Sequence, residues 1–406
     1  MQTIYLDNNA TTRPASKVVA AITEMLTEWW ANPSSGHRPG QAARSKIELA
    51  RASVARLIGI RDKHVLFTSG GTEANNLALR GVLEAPLEMA GKSPRPLLIS
   101  TNVEHSSIAE STENLGQRGA RVVTLPVDSN GLVDPTDLVS ALNSGACKGR
   151  VTLVSIQWAN NETGVMQPIR DLVAACRGHT EACGKCRVVF HTDAVQAVGK
   201  VAVDAAGSGI DLMSLSGHKF HGPKGAGALY VKPGTRLRRQ MLGGHQERDR
   251  RGGTENVAAI VGLGIAADLA SGFLRDARVV ERQTALRNRF EQAMSTVLPD
   301  TVVHGSGAER IWNTSNLGFP GIEAEAVLLA LSEKGLCASA GSACSSGSLE
   351  PSPVLLAMGI PEPVAHGSTR FSLSRDTGAD QIDRAIQIVT EVVRRLGRTL
   401  PLGQSP

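Results

Sequence analysis

Ser214-Leu215-Ser216-Gly217-His218-Lys219-Phe220-His221-Gly222-Pro223-Lys224-Gly225 connects two apolar runs, Ile210 to Leu212 and Ala226 to Val231. Short apolar runs bounded by glycine and proline read as buried strands, so this segment is a strand-to-strand connection. Around Lys219 it gathers serine hydroxyls, two imidazoles and three glycines. A lysine amine condenses with a carbonyl cofactor when desolvation or neighbouring cations lower its pKa, and His218, His221 and Lys224 are placed to supply that charge. The plain alternative is a basic turn between two strands.

Upstream, Val65 to Thr68, Leu97 to Thr101, Arg121 to Leu125, Val151 to Gln157 and Val188 to Thr192 are further strand candidates. Ser106 to Gln117 and Ile169 to Cys176 have helical patterns and are long enough to cross between strands. Strands alternating with helices imply an α/β fold, a mostly parallel seven-stranded sheet flanked by helices. Before the first strand, helices over about 16–30 and 41–58 enclose a loop holding two prolines and two glycines. After the last, a long polar helix from about Ala277 to Val297 leads to a smaller α+β unit. Its strands are expected near Ser315 to Leu317, Cys337 to Ala340 and Thr369 to Leu373, its helices over Glu323 to Lys334 and Ala379 to Leu396. The expected division is a large domain over 15–260 and a small one over 261–406 that includes residues 1–14.

At 406 residues the chain exceeds the size at which one core stops growing. A net charge of +5 without a long basic run gives no nucleic-acid or membrane-surface signature. No apolar stretch reads as the ~20 residues of a membrane span, and residues 1–7 show no leader pattern, so the expected compartment is the cytoplasm. Six cysteines in so long a chain make no disulfide framework and are expected as thiols. Cys183-Gly184-Lys185-Cys186, with Cys176 and His179 upstream, reads as a helix-to-strand connection that contains thiols. His179 lies too close to the pair for zinc-finger spacing, and no metal is assigned.

Ligands of parallel sheets sit at the carboxyl ends of the strands. There the sequence reads Ser69-Gly70-Gly71-Thr72-Glu73, Glu104-His105-Ser106, Asn160-Asn161-Glu162-Thr163-Gly164, Asp193-Ala194-Val195-Gln196 and Ser216-Gly217-His218-Lys219. Each has an ordinary explanation: Thr72 and Asp193 as helix caps, His105 as a satisfied strand-end histidine, Gln196 as a surface residue. Their coincidence is what points to a site. Backbone N–H groups at a helix start after Gly70-Gly71-Thr72 suit a phosphate, Asp193 suits a pyridinium N–H, and Lys219 suits a carbonyl: the parts of a pyridoxal phosphate site.

With these residues in view the chain resembles the cysteine desulfurases of the IscS/NifS-type group, in the fold-type I, class V aminotransferase family of pyridoxal phosphate enzymes. The resemblance runs from Tyr5-Leu6-Asp7-Asn8-Asn9-Ala10-Thr11-Thr12 to Arg370-Phe371-Ser372-Leu373-Ser374-Arg375, nearly the whole chain. Its most specific piece is Gly341-Ser342-Ala343-Cys344-Ser345-Ser346-Gly347-Ser348-Leu349-Glu350-Pro351-Ser352, which is similar to the loop carrying the persulfide cysteine. The family pattern has Ser-Gly-Ala-Thr-Glu where this chain has Ser69-Gly70-Gly71-Thr72-Glu73, a loss of one methyl.

The resemblance implies pyridoxal 5'-phosphate held by Lys219, with His105 stacked on its ring, Asp193 on the ring nitrogen and Gln196 on the phenolic oxygen. Gly71, Thr72, Ser216 and His218 would bind the phosphate, together with Thr254 reaching from the neighbouring subunit of a homodimer. Asn161 would lie beside ring and substrate, and Arg370 would hold the substrate carboxylate as a bidentate fork. The implied reaction removes sulfur from L-cysteine, giving L-alanine and a Cys344 persulfide for a sulfur-acceptor protein, such as an iron–sulfur scaffold. Selenocysteine lyase and a plain aminotransferase are the alternatives on the same scaffold, and Cys344 argues against the second, which needs no thiol there. A non-catalytic sulfur carrier is opposed by intact Lys219, Asp193 and Arg370.

Overall fold

The seven expected strands form one sheet in the computed structural model, which describes residues 3–88, 94–144, 150–183, 186–341 and 350–399. Across the sheet they run Val65–Thr68, Gly227–Val231, Leu212–Ser216, Arg187–Asp193, Val151–Ser155, Leu97–Thr101 and Arg121–Leu125. Gly227–Val231 is antiparallel to both its neighbours, and the other pairings are parallel. Crossover helices such as Ser106–Gln117 and Ile169–Cys183 cover both faces, and that is why the central strands are buried along their whole length, polar positions such as Thr152, His191 and Ser214 included. Leu97, Ile99, Val154 and Phe190 pack on one face, Leu98, Leu153, Val189 and Leu229 on the other. Only Arg121–Leu125, at the sheet edge, is mostly accessible.

The helix Val257–Arg275 is long and apolar enough to cross a membrane, contrary to the expectation that no stretch is. Its environment explains the composition. Leu263, Ala266, Ala267 and Ala270 pack into the large-sheet core, Gly264 leaves room for the backbone of Ala50, and Asp268 accepts from Ser53 and Arg56. A boundary after residue 260 would cut this continuous helix. It ends at Asp276, whose side chain caps the next helix, Ala277–Val297, by accepting from the Arg278 N–H.

The C-terminal unit has an antiparallel sheet ordered Ser339–Ala340, Ser368–Ser372, Thr314–Gly318, Val302–Val303. The single strand expected over 337–340 is two: Leu336–Cys337 pairs in parallel with Ile4–Tyr5, and Ser339–Ala340 with Ser368–Ser372. Residues 4–7 therefore belong to this unit, with Ile4 and Leu6 in its core. Leu6 is wholly buried beside Phe290 and Phe371, whose rings lie 4.9 Å apart, and each such side chain contributes about 1.5–3 kcal/mol by leaving water.

Candidate active site

Glycines fix the backbone on two sides of the site, in the Lys219 turn and across the sheet from it. The strand Leu212–Ser216 ends in a tight turn, Gly217–Lys219, closed by Gly222 N–H donating to Gly217 O at 2.9 Å. A Cβ on Gly222 would lie 2.8 Å from that same oxygen, so the turn closes only with glycine. Across the sheet, a Cβ on Gly71 would lie 2.7 Å from Val195 Cγ2, so the start of the helix Gly71–Glu88 stays bare beside Ser216.

Lys219, Asp193, Gln196, Ser216 and His218 line one cavity of about 290 Å³ together with Gly71, Thr72, His105, Asn161 and Arg370. Gly341 lines it too. Thr254 is exposed and outside the lining, and Cys344 lies outside the described residues, three positions after Gly341.

Lys219 Nζ donates to the carbonyls of Asn9 and Ala10, at 2.6 and 2.9 Å. Asp193 ends its strand with Oδ1 accepting from Val195 N–H at 2.9 Å and Oδ2 from Asn75 Nδ2 at 2.6 Å, which fixes the carboxylate against the cavity. His105 caps the next helix, Nδ1 accepting from Ser107 N–H at 3.1 Å. Gln196 is buried rather than on the surface, and donates through Nε2 to Asn9 O at 3.0 Å. Arg370 is buried, with Nη1 donating to Asn161 O at 3.0 Å and its Nε without a partner among the described residues.

The histidines do not supply the positive charge the sequence suggests. Burial, helped by Lys219, Lys224 and Lys200, pushes His218 down to about 4, so near neutral pH its imidazole is uncharged, with Nδ1 3.1 Å from Thr11 Oγ1. His221 is also held below its ordinary value, first by burial and then by Arg375. The second amine of the site is Lys200. Its Nζ donates to Asn9 Oδ1 at 2.8 Å and to Gln196 Oε1, and burial, then Lys219 and Arg370, hold its ammonium well below the usual lysine range.

Lys200, Asn9, Asn75 and Glu162 are the functional candidates that the sequence reading passes over. Asn9 joins both lysines: its backbone carbonyl accepts from Lys219, its side-chain oxygen from Lys200, and its Nδ2 donates to Thr314 Oγ1 at 2.8 Å. Glu162 is buried beneath Gly341 and accepts from Ser352 Oγ at 2.6 Å, and burial raises its carboxyl pKa against the pull of Ser352 and Arg370. The one available signal for Asn9 and Glu162 is their place inside the quoted motifs. For Lys200 it is its spacing four residues after Gln196 on a turn-rich stretch.

Two of the expected thiols are not free. Cys183 and Cys186 form a disulfide, with Cα atoms 5.7 Å apart, because two intervening residues bring the ends within reach. Cys176 is buried in the core and Cys337 is partly exposed, both as thiols, and Cys147 lies outside the described residues.

The donor set fits pyridoxal phosphate. A helix start without a side chain at Gly71, an anchored carboxylate, an amine between two carbonyls and a buried guanidinium face one space.

Residues 4–385 match the family Aminotransferase class-V. Cysteine desulfurase 2 of Trichormus variabilis is 46% identical over 401 residues, covering 99% of this chain and 96% of that one. Cysteine desulfurase NifS of Azotobacter vinelandii is 44% identical over 402 residues, covering 99% and 95%. Among solved structures, a NifS-like protein superposes with a TM-score of 0.87 at 30% identity, over 97% of this chain and all of that one. A second, SspA in complex with cysteine, superposes at 0.78 with 31% identity, over 92% and 99%.

Proposed function

The chain belongs to the class-V aminotransferase family and is an L-cysteine desulfurase, and from that premise we propose that Cys344 receives the sulfur of L-cysteine as a persulfide while L-alanine leaves. What carries the reading is the single cavity shared by Lys219, Asp193, His105 and Arg370, with Gly341, three residues ahead of Cys344, on the same wall.

In the proposal Lys219 holds the carbonyl of pyridoxal phosphate and Asp193 its ring nitrogen, with Gln196 on the phenolic oxygen and His105 against the ring. Gly71, Thr72, Ser216 and His218 take the phosphate. Bound there, the cofactor supplies a carbonyl for the substrate amine and a ring that accepts the electron pair left when Cα loses its proton. Arg370 and Asn161 orient the substrate through its carboxylate. The Lys219 amine takes the Cα proton. The Cys344 thiolate then attacks the substrate sulfur, the Cβ–Sγ bond breaks, and Cβ keeps the electron pair and takes a proton. The atoms balance: cysteine and a thiol become alanine and a persulfide.

Thr254 belongs to the same proposal as a phosphate contact to the other subunit of a homodimer, which its exposed position allows. Arg251, three residues earlier, donates to Glu73 Oε1 at 3.0 Å and ties this segment to the turn that opens the phosphate cradle. The acceptor of the persulfide sulfur is proposed to be a protein thiol in the cytoplasm.

The test separates cofactor chemistry from sulfur transfer. Cys344→Ala is expected to purify yellow and to change its absorption on adding cysteine, yet to release almost no alanine and carry no persulfide. Lys219→Ala, folded, is expected to lose both responses. Alanine release by Cys344→Ala at the parent rate would hand the reaction to a mechanism without the thiol.

A further inference from the structure

His179, Cys183 and Cys186 converge about one strand length from the cavity. His179 and Cys183 are four residues apart on the helix Ile169–Cys183, hence on one face of it, and Cys186 stands just before the strand Arg187–Asp193. Their candidate ligand atoms all lie within 4.8 Å of one another. Asp193 ends that strand, so the cluster is about 20 Å from the active-site carboxylate, at ~3.3 Å per residue.

The histidine is already oriented as a ligand. Nδ1 lies 3.0 Å from Asn143 Oδ1, an amide oxygen that only accepts, so Nδ1 carries the ring hydrogen. Nε2 is then a lone pair, and it is buried without a hydrogen-bond partner among the described residues. Metal-binding histidines are held in this way, one ring nitrogen donating to a neighbouring oxygen while the other faces the ion. The ligand atoms of a tetrahedral zinc ion stand ~3.3–3.8 Å apart, within a side-chain rotation of the present spacing once the two sulfurs part. Cys176 is no part of the set: it is buried in the apolar core, which pushes its thiol up to about 12.

We propose that His179 Nε2, Cys183 Sγ and Cys186 Sγ form a Zn²⁺ site, open when the disulfide is reduced and closed when it forms. The two-sulfur, one-nitrogen set suits a borderline ion such as zinc. His179 and Cys183 are partly exposed, so a solvent molecule completes the fourth position. A dithiol reductant opens the site: its two sulfurs join as a cyclic disulfide while Cys183 and Cys186 each gain a hydrogen. Zinc binding then releases both thiol protons and leaves a neutral centre of two thiolates, one imidazole and Zn²⁺.

The test uses full-length, cofactor-loaded protein carrying Cys344→Ala, which removes the thiol of the active-site loop as a competing ligand. Reduced with dithiothreitol and desalted without oxygen, it is expected to bind one Co²⁺ per chain with thiolate-to-cobalt absorption, and Zn²⁺ should displace the cobalt. The oxidised protein should bind none. Adding Cys183→Ser or Cys186→Ser should abolish the signal while the cofactor band persists, and Asn143→Ala should weaken zinc binding about 10-fold or more. No cobalt on the reduced protein, or equal binding after Cys183→Ser or Cys186→Ser, overturns the site.

Discussion

Arg370 donates through Nη2 to Asp7 Oδ1 at 2.9 Å, both side chains largely withdrawn from water. The guanidinium expected to receive the substrate carboxylate therefore already faces a carboxylate of its own chain. Asn161 O holds the other terminal nitrogen, so the fork is fixed in plane before any ligand arrives. Order of this kind lowers the conformational cost of binding.

Replacing Asp7 by Asn keeps an acceptor but removes the anion, leaving a buried cation without a counter-charge until a substrate supplies one. The expected loss in the free enzyme is about 1–3 kcal/mol, read as a lower Tm, with a KM for cysteine several-fold below the parent's. An unchanged Tm with a raised KM would mean that Asp7 does not compete with substrate.

Arg370→Lys should act in the opposite sense on binding. One ammonium cannot serve Asp7, Asn161 O and a bidentate carboxylate together, so the KM for cysteine should rise about 10-fold or more, equivalent to ~1.4 kcal/mol. Steady-state kinetics identical to the parent's would remove Arg370 from substrate binding.

Lys200→Met strands two buried acceptors, Asn9 Oδ1 and Gln196 Oε1. Unsatisfied buried groups cost about 1–3 kcal/mol each, so a clear fall in Tm is expected. Because the same Asn9 and Gln196 face the cavity, the affinity of the apoprotein for pyridoxal phosphate should fall as well, measured by absorbance titration. Normal cofactor affinity with a lowered Tm would make Lys200 a purely structural residue.

Glu104 gives the chain a pH-dependent stability. Burial, reinforced by Asp193, lifts its carboxyl from 4.5 to about 8, although Thr101 and Gln157 N–H donate to it. The folded state keeps its proton where the unfolded chain has released it, so this contribution is full below about 4.5 and is lost as pH rises through about 8. Glu104→Gln cannot ionise. Its unfolding free energy from urea titration, relative to the parent's, should climb between pH 5 and 8, by an amount on the order of a few kcal/mol at most. Parallel pH profiles would show that Glu104 is ionised in the folded protein.

The strands are legible where burial on both faces leaves short apolar stretches, as in Leu97 to Ile99 and Gly227–Val231. Strand-end polar residues such as Asp193 and Lys219 were readable by position alone. Lys200 was not, because a lysine sequestered by Asn9 and Gln196 has the same letter as a solvated one, and what buries it, Trp312 Nε1 donating to its carbonyl at 2.7 Å, is 112 residues away. Gln196 is likewise legible only through its place in the Asp193-Ala194-Val195-Gln196 strand end, since its letter alone reads as a surface residue. The helix Val257–Arg275 hid its length behind Asp268, whose partners Ser53 and Arg56 come from another helix.

The pairing of Ile4–Tyr5 with Leu336–Cys337, and of Asp7 with Ser372 and Arg370, sets a time order on the making of this protein. Asn9, whose carbonyl meets Lys219, is anchored by Ser372 Oγ, a contact spanning 363 residues of sequence. A growing chain exposes its first dozen residues early and its closing strand, Ser368–Ser372, almost last. At ~5–20 residues per second the N-terminal segment waits some tens of seconds for its partner, while the central sheet can form in the meantime. Competence to hold the cofactor is thus a late event in biogenesis, and nascent chains stalled before residue 368 should lack it.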